Sequence, residues 1–153
     1  MTAERAELPP PRRIYLDTSA YLCLILAEKG SDAIVSETSG AALLSSVLLV
    51  LESRRNVIRL ARNGDITAEN CQACLERIDK DVEHFALRDL TLDLCVSGTM
   101  PVVSTPRSLD LIHLRTALWF HGELKIDRFL TVDQAQAAAA RELGLPIDSL
   151  KAV

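Results

Sequence analysis

Short apolar runs alternate with longer stretches of helical period along this chain, and that alternation narrows the folds open to it more than any other feature. Ile14-Tyr15-Leu16 reads as a strand feeding a helix over residues 20–28. A second helix is expected over 32–39 and a buried strand over 41–44. A long helix comes next, capped by Ser45-Ser46 and stopped near Arg62 by Asn63-Gly64. Thr67, with Glu69 and Asn70, opens another helix to about Glu83. The next strand falls at 85–87 or 90–92, with a short helix toward Gly98. Thr105-Pro106 starts a helix to Gly122, because proline suits the first helical turn. Residues 128–132 form a strand, 133–143 an alanine-rich helix closed by Gly144, and 146–150 a short last strand. Strands separated by helices need crossover connections. The expected fold is therefore α/β, a three-layer α/β/α sandwich around a central, mostly parallel sheet.

The chain has 153 residues, 48% of them hydrophobic, enough for one domain with a substantial core. That domain is expected over 14–153, behind a loose, flexible lead over 1–13. The lead is polar and proline-bearing, unlike a signal peptide, and no apolar run approaches the roughly 18–20 residues of a membrane span. The chain reads as cytosolic. Cys23, Cys71, Cys74 and Cys95 then read as free thiols. The Cys71-x-x-Cys74 pair has no second pair to complete a zinc site, so small half-buried hydrophobes are expected there.

Four acids stand apart. Asp17, Glu52, Asp110 and Asp133 each sit where a strand or apolar run hands over to a helix. Ligands bind beyond the carboxyl ends of strands in such sheets, and Asp17 and Asp133 lie at strand exits. Singly, Asp17 and Asp133 can be helix caps, and Asp110 can answer the helix dipole. Glu52 lies inside a helix after the apolar run Val47 to Leu51, where neither explanation applies. It shares a polar stripe with Arg55, Asn56, Arg59 and Asn63, at about 100° per residue, so a solvated face is the competing reading. Arg54 falls among apolar positions and implies an acidic or subunit partner. Gathered carboxylates repel one another, and a hard divalent cation is the natural remedy. The expected chemistry is hydrolysis of phosphodiesters by metal-activated water, with the charge building on phosphate oxygens offset by the metal. Thr18, Ser19 and Thr131 offer hydroxyls for water or phosphate. His113, three residues past Asp110, is either a satisfied core histidine or a group behind the acids.

Net charge is −4, and without the four acids basic and acidic residues are equal in number. That balance counts against a large nucleic-acid footprint. A small one stays open, since 13 of the 17 basic residues are arginine. Arg55, Arg59 and Arg62 read first as solvated surface, and second as a grip on a flanking backbone.

Four stretches carry a resemblance. They are Tyr15-Leu16-Asp17-Thr18-Ser19-Ala20; Leu44 to Arg55 with Glu52 inside; Arg107-Ser108-Leu109-Asp110-Leu111-Ile112-His113-Leu114; and Leu130-Thr131-Val132-Asp133 together with Ala137 to Pro146. In that order they resemble the PIN-domain family, and within it the VapC-type toxins of bacterial toxin–antitoxin pairs. The resemblance implies a Mg²⁺- or Mn²⁺-dependent endoribonuclease, with Asp17, Glu52, Asp110 and Asp133 as catalytic metal ligands. It also implies a homodimer and a cognate antitoxin that blocks the acidic pocket. The family commonly carries Asp or Asn at the position of Asp133, which makes it the weakest of the four as a direct ligand, and Asp93 lies in a stretch that does not align. With 4% aromatic residues, shape recognition of a structured RNA is expected rather than base stacking. A housekeeping nuclease of the same family and a non-catalytic interaction module are the alternatives. Phosphotransfer folds fit less well: Ser19 stands where a haloacid-dehalogenase-like enzyme wants a second aspartate, and Lys151 is misplaced for a receiver domain.

Overall fold

A computed structural model describes residues 7–96, 103–104 and 107–147. Expectations placed on Gly98, Thr105, Pro106 and 148–150 lie outside the described residues. Strand β1 (Arg13–Leu16) leads to helices α1 (Thr18–Ile25) and α2 (Ser31–Thr38), then strand β2 (Ala42–Ser46). Helices α3 (Leu48–Arg62) and α4 (Ala68–Val82) precede the short strand β3 (Ala86–Arg88). Helices α5 (Leu92–Val96) and α6 (Ser108–Leu124), strand β4 (Arg128–Leu130) and helix α7 (Gln134–Glu142) complete the order. All strand pairings are parallel, in the order β3-β2-β1-β4. The fold is α/β, as expected.

Strand alternation divides the core in two. Ile14, Leu16 and Leu130 face one side, buried with Tyr21 of α1, Ile34 of α2, Leu49 and Val57 of α3 and Ile78 of α4. Tyr15, Leu44 and Phe129 face the other, against Leu114, Ala117 and Phe120 of α6 and Ala139 and Ala140 of α7. Each fully buried large apolar side chain contributes about 1.5–3 kcal/mol, so these two layers hold the sandwich together. Tyr15 and Phe129 stack at 5.3 Å on neighbouring strands.

The order of the strands creates the crevice. From β1 the chain moves through β2 to β3 with α1–α4 on one face. It then returns past β1 to β4 with α6 and α7 on the other. The connections leaving β1 and β4 therefore diverge, opening a gap above their carboxyl ends. Both sheet edges are modest. β3 has three residues, and its Arg88 pairs with Asp93 and lies 4.4 Å from the Trp119 ring centre. At the other edge the Phe129 amide donates to the Pro146 carbonyl at 2.8 Å.

Several boundaries differ from expectation. α1 begins at Thr18 rather than residue 20, because the Asp17 side chain already caps it. β2 extends to Ser46, whose hydroxyl accepts from the Leu48 amide at 3.2 Å, and the N-cap of α3 is Val47 rather than the expected Ser45-Ser46. β4 stops at Leu130, where Thr131 and Asp133 turn the chain with side-chain bonds. Pro146 and Ile147 are not in a strand; a proline cannot donate to the ladder, and only its carbonyl reaches β4. Cys23, Cys71, Cys74 and Cys95 are free, with Cys71 and Cys74 packed at the rim of the α1–α4 core. Among the described residues, no helix is long and apolar enough to cross a membrane.

Candidate active site

Asp17 ends β1 and is 4% exposed. Its Oδ1 accepts from the Ala20 amide at 3.0 Å and from the Ser19 hydroxyl at 2.7 Å. Its Oδ2 accepts from the Thr131 hydroxyl at 2.6 Å. The same Thr131 oxygen accepts from the Asp133 amide at 3.1 Å, so one hydroxyl ties the exits of β1 and β4 together. Asp133 caps α7, its Oδ1 accepting from the Ala135 and Gln136 amides at 2.8 and 3.2 Å. Both cap expectations therefore hold, alongside a common location.

Glu52 reaches the same end from the second turn of α3. Its Oε1 accepts from the Thr18 hydroxyl at 2.8 Å and lies 2.9 Å from His113 Nε2. A carboxylate only accepts, so Nε2 carries the hydrogen and donates. Nδ1 lies 2.9 Å from the Tyr15 hydroxyl, accepting from it when the ring is neutral and donating to it when the ring is protonated. His113 is 2% exposed with both nitrogens satisfied, so it is a core histidine and the support of Glu52 at once. Glu52 is on the polar stripe yet turned inward, which removes the solvated-face reading for this residue.

Asp110 lies in the first turn of α6, partly buried. Its carboxylate accepts no hydrogen bond among the described residues. The Gln136 amide of α7 instead donates to the Asp110 backbone carbonyl at 3.0 Å. Gln136 is 2% exposed, and its Oε1 has no hydrogen-bond partner among the described residues.

Burial and charge at the site act on each acid differently. Burial raises the Asp110 carboxyl above its ordinary range, and the charges of Asp133 and Glu52 raise it further against Arg107 and His113. Burial also raises Asp17, despite His113 and the Thr131, Ala20 and Ser19 donors. Burial pushes Glu52 upward too, but the His113 bond and charge and the Thr18 bond outweigh it, leaving the carboxyl lowered.

Thr131 thus links Asp17 to Asp133, Thr18 and His113 hold Glu52, and Asp110 is coupled to Asp133 and Glu52 through charge alone, all at one end of the sheet. Among the described residues no three carboxylate, imidazole or thiolate groups stand close enough to bind one cation in common. Mg²⁺ does not demand three: one or two carboxylates hold it, with waters completing the shell. The donor chemistry fits. Asp110 is raised first by burial and then by its neighbours' charge, and Asp17 accepts only neutral donors.

Two residues escaped the reading of the sequence, Tyr15 and Gln136. Tyr15 carries a signal in its alternation with Ile14 and Leu16, which turns it toward the α6 side. Thr18, Ser19 and Thr131 spend their hydroxyls on Asp17 and Glu52 instead of standing open to water or phosphate. Arg54 pairs with Asp79 of α4 at 2.6 Å, and Asp93 pairs with Arg88 and accepts from Thr91. No protein-family model matches the chain, and no curated protein matches its sequence.

Proposed function

We propose that this chain is a Mg²⁺- or Mn²⁺-dependent endoribonuclease of the PIN-domain type, acting as the VapC-like toxin of a toxin–antitoxin pair in the cytoplasm. The observation that carries the reading is the shared location of Asp17, Glu52, Asp110 and Asp133 beyond the carboxyl ends of β1 and β4, with Asp110 raised first by burial and then by its acidic neighbours. Such a cluster is costly unless a cation offsets it. A homodimer and a cognate antitoxin covering the acids belong to the same proposal.

One or two of Asp17, Asp110 and Asp133 would hold the cation, with waters completing its shell and Glu52 fixed nearby by His113. A divalent ion there supplies charge against the phosphate oxygens and lowers the proton affinity of a water. The chain's own contribution is positional. Ser19 and Thr131 keep Asp17 from rotating, since both of its oxygens are engaged. Thr18 and His113 fix one oxygen of Glu52 and leave Oε2 without a hydrogen bond among the described residues. Tyr15 holds the ring that holds Glu52.

The test is cleavage. Purified protein with Mg²⁺ or Mn²⁺ is expected to cut RNA, and EDTA or Asp17→Ala to abolish the cut. Cleavage that survives both treatments assigns the activity to another centre.

A further inference from the structure

Beyond the acids, α3 presents a run of arginines that no acid among the described residues engages. Arg55, Arg59 and Arg62 are exposed. Among the described residues, Arg55 and Arg62 have no hydrogen bond or ion pair, and Arg59 bonds only Asn56, at 3.1 Å. Other arginines are engaged: Arg12 with Glu37, Arg54 with Asp79, Arg77 with Asp81, and Arg88 with Asp93. The three lie four and three residues apart, neighbours on one helix face, where like charges destabilise a helix. The dipole at the end of α3 accounts for Arg59 and Arg62 in the last turn, but not for Arg55.

Their placement relative to Glu52 is directional. At about 100° per residue they lie roughly 20° to 80° to one side of it, and at about 1.5 Å per residue they extend roughly 4.5–15 Å beyond it. With Ile58 and Asn63 they line a shallow hollow. Arginine forks match phosphate oxygens, and a row of them matches a repeating anion. None of the six aromatic residues is exposed, so the surface offers phosphate contacts and no stacking platform.

We infer that Arg55, Arg59 and Arg62 form a track that binds the ribose-phosphate backbone of an RNA strand and leads it toward Glu52. The inference rests on the nuclease reading for its substrate, but its test does not depend on turnover. Binding of a labelled 20-nucleotide RNA is measured with EDTA on an Asp110→Asn background. Combined Arg55→Gln, Arg59→Gln and Arg62→Gln substitution is expected to weaken binding at least about tenfold. It is also expected to reduce the salt dependence by about two counterions, at roughly 0.7 per lost phosphate contact. Arg141→Gln, on α7, serves as the control and leaves both unchanged. An unaltered thermal midpoint in the triple variant excludes unfolding as the cause. Unchanged affinity and salt slope overturn the track. So does unchanged RNA binding with loss of a self-associated or partner-bound species, which assigns the face to protein contact. If the wild type fails to cut RNA yet binds it through these arginines, the nuclease reading falls and the track stands.

Discussion

Asp110 and Asp133 are the pair in which the site is most directly measurable. Burial raises Asp110, and the charge of Asp133 adds to it. Removing that charge with Asp133→Asn is therefore expected to lower the Asp110 pKa without restoring it fully, because burial and Glu52 remain. Carboxyl-carbon NMR titration without metal reads this directly, and an unmoved Asp110 would mean that the two acids do not share a pocket. In the proposed enzyme Asp110 and Asp17 act ionised, so activity rises as pH climbs through their raised values. Glu52, being lowered, is already charged at that point. The four acids were legible because each stands at a junction of apolar run and helix. Their support was not. His113 and Tyr15 are 98 residues apart, and no local spacing says which side chains meet above a sheet. Gln136 looked like one more polar position in an alanine-rich helix, yet it is buried.

Helices α3 and α4 illustrate how much elements tell in advance. Two caps were readable and one was not: Thr67 accepts from the Asn70 amide at 3.1 Å and Asp133 opens α7, but Val47 rather than Ser45 or Ser46 is the N-cap of α3, with no side-chain bond. The parallel sheet followed from alternation alone. Misplaced boundaries came from side chains that serve two elements at once, such as Ser46 at the end of β2 and the start of α3. Between α3 and α4 two contacts invite comparison. Ile78 is fully buried in the core beside Val57, whereas Arg54 and Asp79 are 41% and 67% exposed. Ile78→Ala is expected to cost about 2–5 kcal/mol in urea unfolding, through lost burial and a cavity. Losing the Arg54–Asp79 pair should cost no more than about 1 kcal/mol. A reversed order would show that the layer rests on surface charge.

At the scale of the molecule, Asp17 sets stability against function. Its folded pKa is raised, so its contribution favours the fold below the unfolded pKa and is lost as pH rises through the folded value. At neutral pH the ionised, buried carboxylate is a cost. Asp17→Asn is therefore expected to raise the metal-free thermal midpoint; a gain of about 1 kcal/mol corresponds to roughly 2–4 °C at this size. Mn²⁺ at a hundred times its dissociation constant should stabilise the wild type by about 2.7 kcal/mol, and the asparagine variant not at all. Equal responses of the two proteins to Mn²⁺ would remove Asp17 from the cation site. The sheet carries one more implication. One rim ends in a three-residue strand whose arginine is occupied, and at the other Pro146 answers the Phe129 amide. Neither border gives a neighbouring molecule a foothold for main-chain templating. In the proposed homodimer the copies would then meet by packing helix against helix, an encounter governed by concentration and salt and reversible without any strand being torn away.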